Sequence, residues 1–227
     1  APALMQKARD ALTSQDFLEA ARLFDAAFDL DNTLAEALYR KAYALRKAKV
    51  LPDAELAYRA FRQIVPDDPD GIYGHAETLR QLGHADQAAA LFRLYAQVER
   101  RPSEEKWVQR ATKSAETLEQ KAEESAHKKA AADRLMADAK VAYQAKSFKE
   151  AAALFAKAHE ADPSRVVAIY NQAAALKQAG MFREARAVYA LYNQVYPNDP
   201  DGVFGQAEVE RILGDQRRAA SLYARYV

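Results

Sequence analysis

The chain has 227 residues, 50% apolar and 29% charged, enough to bury a substantial core, so a folded, soluble chain is expected and disorder is not. Its 33 lysines and arginines against 32 acidic residues leave a net charge of +1, so no global basic excess exists to draw nucleic acid or a membrane surface. It has no cysteine, which excludes a disulfide framework, a thiolate metal centre and a cysteine nucleophile, and no run approaches the roughly 20 apolar residues of a membrane span.

Only 7 glycines and 8 prolines interrupt a sequence rich in alanine, and Ala, Leu, Phe and Tyr recur at spacings of three and four, which predicts helix throughout and no sheet. Residues 1–96 align without gaps on residues 132–227 at a shift of 131, with roughly 37 of 96 positions identical. The chain is therefore a tandem duplication. Within each half a period of 34 runs through Ala20, Ala54 and Ala88 with Phe24, Tyr58 and Phe92, then through Ala151, Ala185 and Ala219 with Phe155, Tyr189 and Tyr223. Two antiparallel helices approach closely only where small side chains meet, and an aromatic ring one turn along fills the remaining gap.

In chain order, the first unit spans 1–34, starting at Ala1-Pro2-Ala3-Leu4. This start lacks both an initiator Met and a signal-like apolar segment, and reads as a processed or excised chain. The second unit, 35–68, stops its second helix at Pro66, because proline cannot extend the hydrogen-bonded ladder. The third, 69–102, opens on Asp68-Pro69-Asp70: Asp68 caps, Pro69 suits the first turn and Asp70 complements the helix dipole. Residues 103–131 form a spacer starting at Ser103-Glu104-Glu105, with neither Gly nor Pro between Pro102 and Pro163. One long helix from about 104 to 146, roughly 65 Å at 1.5 Å per residue, would hold the two blocks as separate lobes. A break near Ser125–Lys129 is the alternative, and Trp107, Ala111, Leu118 and Ala122 are expected to cover the end of the first block.

The second half repeats the plan in units 132–165, 166–199 and 200–227, with Pro163 and Pro197 as stops and Asp199-Pro200-Asp201 as the repeated cap. The sixth unit reaches Val227 before its terminating turn, which predicts a further helix in the natural chain.

The small residues Ala8, Ala42, Ala76, Ala139, Ala173 and Ala207 in the first helices, with the small and aromatic pairs above and Phe17 and Phe148 before the second helices, resemble the tetratricopeptide repeat family. Leu38, Ile72 and Ile169 stand where that family carries tryptophan. The resemblance implies an all-α solenoid: two three-repeat lobes joined by a long helix, whose first helices line a concave groove that binds a protein or peptide partner. The groove positions it implies are Met5, Arg9 and Leu12 in the first unit, Tyr39, Tyr43, Arg46 and Lys47 in the second, and Tyr73, Glu77, Arg80 and Gln81 in the third. In the second half they are Met136, Lys140 and Tyr143, then Tyr170, Lys177 and Gln178, then Phe204, Glu208, Arg211 and Ile212.

Of these, the expected protein-binding residues are Tyr39, Tyr43, Arg46, Tyr73, Glu77, Arg80, Tyr143, Tyr170, Lys177, Phe204, Glu208 and Arg211, since tyrosine and arginine dominate binding hot spots. Glu77 with Arg80 and Glu208 with Arg211 stand three apart, either as plain intrahelical ion pairs or as glutamates that aim an arginine at a partner. Some family members clamp a chaperone tail with Lys and Asn; Met5 and Arg9 occupy those places, so that clamp is not expected.

Catalytic and metal chemistry find little to build on. His75, His84, His127 and His159 are scattered without a pair three or four apart, Asp67–Gly71 lacks the alternating ligands of a calcium loop, and no phosphate loop or Gly-x-Ser-x-Gly elbow occurs. The sequence thus points to a non-enzymatic protein-binding scaffold with no cofactor, no metal, no nucleic acid and no membrane insertion. Self-assembly into a homo-oligomer through the repeat ends, or service as the regulatory module of a larger protein, are the alternatives. The alanine and arginine usage suits a GC-rich bacterium, and the compartment stays open.

Overall fold

A computed structural model describes residues 1–226, and the helix expected after Val227 lies outside them. The chain is all-α. Its helices are α1 (Pro2–Thr13), α2 (Phe17–Leu30), α3 (Ala35–Lys47), α4 (Leu51–Ile64), α5 (Pro69–Leu82), α6 (Ala85–Val98), α7 (Glu105–Gln144), α8 (Phe148–Ala161), α9 (Val166–Gln178), α10 (Phe182–Val195), α11 (Pro200–Ile212) and α12 (Gln216–Tyr226). A 3₁₀ turn at Pro102–Glu104 leads into α7. No strand occurs among the described residues. The chain divides into two compact units, Ala1–Glu123 and Glu124–Val227.

The ends of the helices follow the local chemistry. Asp68 accepts a hydrogen bond from Gly71 N at 2.7 Å and Asp199 one from Gly202 N at 2.9 Å, with Pro69 and Pro200 opening α5 and α11. Helices α4, α8 and α10 end at Ile64, Ala161 and Val195, each two residues short of Pro66, Pro163 or Pro197. The turn inside each helix pair uses one left-handed residue at the same place: Gln15, Lys49 and Gly83 in unit 1, Lys146, Gly180 and Gly214 in unit 2.

The core is the alanine and aromatic series. Ala20, Ala54, Ala88, Ala151 and Ala185 are fully buried, as are Phe24, Tyr58 and Phe92, with Tyr189 at 1% exposure. Each such ring contributes on the order of 1.5–3 kcal/mol by leaving water. The glycine pairs mark where a ring meets backbone: a Cβ on Gly74 would sit 2.5 Å from the Tyr58 ring, and one on Gly205 the same distance from Tyr189. Only glycine admits those rings.

Helix α7 is a single helix, the continuous form of the two considered. Its first turns pack in the unit 1 core, where Ala111 and Ala115 are fully buried and Trp107 and Leu118 partly so. Ala122, also expected there, is half-buried, and residues 123–131 are exposed on all sides before Ala132 enters the unit 2 core.

Candidate functional site: aromatic clefts on the first helices

In unit 1, helices α3, α5 and the start of α7 bring Tyr39, Tyr43, Arg46 and Tyr73 to one cleft of about 210 Å³, together with Tyr58, Tyr95, Glu104 and Trp107. The tyrosine rings are held by other rings. Tyr39 meets Tyr58 edge-on at 6.2 Å and Phe61 at 5.5 Å; Tyr73 meets Tyr95 at 5.0 Å, Trp107 at 5.5 Å and Phe92 at 5.6 Å. Such pairs add roughly 0.5–1.5 kcal/mol beyond area burial and fix the ring planes. Tyr39 and Tyr73 are therefore packing residues and cleft residues together.

The cleft sets one cation, Arg46, among phenols, with the Asp70 and Glu104 carboxylates also in its wall. Burial pushes the hydroxyl of Tyr95 up to about 12 and raises those of Tyr39 and Tyr73 as well, so all stay protonated at neutral pH. Burial opposes the charge on Arg46, but the adjacent Tyr58 hydroxyl and the Glu77 carboxylate outweigh it and raise its pKa. The Arg46 guanidinium and the Lys47 ammonium each lie 5.5 Å from the centre of the Tyr43 ring. Arg46 Nε, the Tyr58 hydroxyl and the Tyr73 hydroxyl are buried without a hydrogen-bond partner. Buried polar groups are ordinarily paired, so three unpaired ones on one cleft are unusual.

One turn further along α5 and α7, Glu77 and Arg80 line a second groove of about 530 Å³ with Arg110, Lys113 and Lys121. Glu77 is buried and accepts from Arg80 at 2.8 Å. Arg110 covers the Trp107 ring at 5.3 Å. The intrahelical pair is thus formed, and it leaves Arg110, Lys113 and Lys121 as the groove's other cations.

Unit 2 distributes its residues differently. Tyr143 and Tyr170 share a cleft of about 350 Å³ with Lys140, Gln144, Phe155 and Asn171. Tyr170 rests against Tyr192 at 5.5 Å and Tyr189 at 6.0 Å. Phe204, Glu208 and Arg211 form a separate group on α11: Glu208 accepts from Arg211 at 3.2 Å and from the Tyr223 hydroxyl, and Phe204 packs on Tyr226 at 5.2 Å. The hydrogen bonds from Arg211 and Tyr223 lower the Glu208 pKa, with a smaller Coulombic contribution from Lys177 on α9. Where Tyr43 stands in unit 1, unit 2 has Ala174.

Reasoning from the sequence did not place Tyr58, Tyr95 or Trp107 in the cleft. The first two belong to second helices and read as core. Trp107 and Ala111 stand 35 residues after Ile72 and Ala76, so one extra residue in the link puts the start of α7 out of phase with the 34-residue period.

Residues 142–202, from the end of α7 to the start of α11, match the tetratricopeptide repeat family model. The matched segment is about a quarter of the chain, and the same register of small and aromatic residues runs through the helix pairs on either side of it. No curated protein sequence matches the chain. Among solved structures, the chain is similar to the Yersinia enterocolitica type III secretion chaperone SycD in complex with a peptide of the translocator YopD (TM-score 0.50, 18% identity, 53% of this chain and 93% of that one). It is also similar to PcrH in complex with the chaperone binding region of PopD (TM-score 0.50, 19% identity, 53% and 92%). The TPR2AB domain of yeast Sti1 with pHSP90 aligns over 99% of this chain and 88% of that one at 16% identity and TM-score 0.46. At these identities the likeness is one of fold. Among the described residues no helix is long and apolar enough to cross a membrane, and no three His, Asp or Glu side chains cluster as a metal site.

Proposed function

We propose that the protein is a non-catalytic scaffold that holds a segment of a partner protein against the first helices of its repeats, with the Tyr39–Tyr43–Arg46–Tyr73 cleft of unit 1 as the main anchor. The observation that carries this reading is the set of buried, unpartnered polar groups, Arg46 Nε and the Tyr58 and Tyr73 hydroxyls, in a cleft walled by aromatic rings. Such a cleft takes a side chain that offers an apolar stem and an acceptor tip; the Asp70 and Glu104 carboxylates in its wall favour a neutral tip such as Gln, and the adjoining Arg80, Arg110, Lys113 and Lys121 favour an acidic neighbour in the same segment. Tyr143 and Tyr170 offer unit 2 a second, less charged seat, so two segments of one partner would gain effective concentration. The SycD and PcrH structures support the reading, as each holds a segment of another protein on the same fold.

The test is selection of short peptides from a displayed random library on the intact chain, followed by calorimetric titration of the winners. Enriched peptides should be acidic, and Arg46→Ala or Tyr73→Phe should weaken them about tenfold or more. Winners that are not acidic, or that bind both variants as tightly as the parent, would refute the assignment.

A further inference from the structure

The two copies of the first helices differ at one place in a way that opens unit 2. In unit 1, Arg9 of α1 meets Glu36 of α3 at 3.2 Å, and Arg40 reaches the same carboxylate at 3.3 Å. The shift of 131 turns these three residues into Lys140, Val167 and Asn171. The acid between two cations is gone, and one cation stays. Lys140 has no ion pair among the described residues, and α9 carries no acidic residue from Val166 to Gln178. In the place of Glu36, Val167 is 51% exposed.

The rings beside this site have moved as well. Leu12 and Tyr43 of unit 1 become Tyr143 and Ala174 in unit 2. With alanine at 174, Tyr143 and Tyr170 line a pocket of about 350 Å³ together with the buried Phe155, Asn171 and Lys140. The wall rings are braced: Tyr143 meets Phe148 edge-on at 5.2 Å, and Tyr170 rests on Tyr192 and Tyr189. Unit 2 therefore lacks two groups that unit 1 supplies from its own chain, a ring at position 43 and a carboxylate at position 36.

Building on the reading that the first helices hold a partner segment, we infer that the partner brings both groups to unit 2. The Tyr143–Tyr170 pocket seats an aromatic side chain of the segment, Lys140 holds a carboxylate next to it, and the small side chain of Ala174 is what admits the ring. Ring walls favour a ring over an aliphatic side chain of similar size, because edge-to-face and offset contacts add to the gain from burial. The unpaired ammonium favours a carboxylate, and no acidic side chain lines this pocket to oppose it, whereas Asp70 and Glu104 line the cleft of unit 1.

Three small molecules separate the two parts of the site: N-acetyl-tryptophan with ring and carboxylate, its amide with the ring alone, and N-acetyl-leucine with the carboxylate alone. Each is titrated into the intact, isotope-labelled chain and read at the backbone amide of Asn171 by nuclear magnetic resonance. N-acetyl-tryptophan should give a saturable shift with a Kd of about 1–10 mM, and the other two should bind about fivefold or more weaker. Lys140→Gln, at an exposed position, should bring the acid down to the level of its amide and leave the amide unchanged. Ala174→Tyr, which restores the unit 1 residue, should remove the shift given by N-acetyl-tryptophan and by its amide. Three results would each overturn the inference: no saturable shift at Asn171, N-acetyl-leucine binding as tightly as N-acetyl-tryptophan, or a preference for the acid that survives Lys140→Gln. The shift at Asn171 does not pass through Arg46 or Tyr73, so a failure here is told apart from a failure of the unit 1 cleft.

Discussion

Units 1 and 2 share their packing residues and differ in what surrounds them. At the second-helix positions Ala20, Phe24, Ala54, Tyr58 and Ala88 of unit 1, unit 2 has Ala151, Phe155, Ala185, Tyr189 and Ala219, with Gly74 and Gly205 under the same ring. Around this constant frame the polar residues have been exchanged. In unit 1 Arg62 donates to His75 Nδ1 at 3.4 Å and His75 Nε2 faces Glu55 at 3.4 Å; the counterparts in unit 2 are Asn193 and Gln206, neutral and bonded at 2.8 Å, with Arg186 in place of Glu55. Leu79 of unit 1 becomes Glu210, fully buried and paired with Arg218 at 3.2 Å and Arg186 at 3.9 Å. The helix pairs therefore depend on small and aromatic contacts, and the charges are free to diverge and give each unit its own surface.

The strongest way to break that comparison is to move one charge across it. Leu79→Glu places a carboxylate where the neighbouring positions hold Glu55 and Gln87 instead of two arginines, and should destabilise unit 1 by about 3–5 kcal/mol in a urea titration. Glu210→Leu, the reverse exchange, frees two half-exposed arginines to solvent and should stabilise unit 2 by about 1–2 kcal/mol. Equal and small effects from both would show that the buried charge is not specific to its arginines.

A second contrast concerns pH. Glu99 is buried at the end of α6 and bonded by Arg101, which also holds Asp70 at 2.8 Å; the hydrogen bonds from Arg101 lower its pKa from 4.5 to about 2. A depressed carboxylate contributes stability that is complete above pH 4.5 and lost between pH 4.5 and about 2. Glu99→Gln should therefore lower the melting temperature at pH 7 and flatten its fall between pH 5 and pH 3, as read by circular dichroism. A variant with the parent's full acid sensitivity would assign that sensitivity elsewhere.

The smallest expected effect sharpens the repeat register itself. Lys49 holds φ at 65° where Gly83, Gly180 and Gly214 occupy the matching turns. Lys49→Gly removes the steric penalty of a left-handed side chain and adds freedom to the unfolded chain, a net gain of about 0.5 kcal/mol in urea midpoint measurements. Gly83→Lys should lose a similar amount.

The helix pairs, the proline stops, the Asp68 and Asp199 caps and the continuous α7 were legible because each rests on neighbours a few residues apart. The cleft was legible only in part. Tyr39, Tyr43, Arg46 and Tyr73 follow from the groove positions that the resemblance implies, but Trp107 is hidden by one extra residue in the link before α7, and Tyr58 and Tyr95 carry a packing pattern that says nothing of an open side. Glu210 gives no sequence signal of burial, because the arginines that neutralise it come from α10 and α12, 24 and 8 residues away. His75 likewise looks solitary until α4 brings Glu55 and Arg62 to it.

The proposed seat of a partner segment is the aromatic cleft of unit 1. Isotope-filtered nuclear Overhauser spectra of the intact chain bound to a library-selected acidic peptide test it most directly. Contacts from the peptide to the ring protons of Tyr43, Tyr73 and Trp107 are expected. Contacts confined to Leu18 and Leu56, which line a separate groove between α2 and α4, would contradict it.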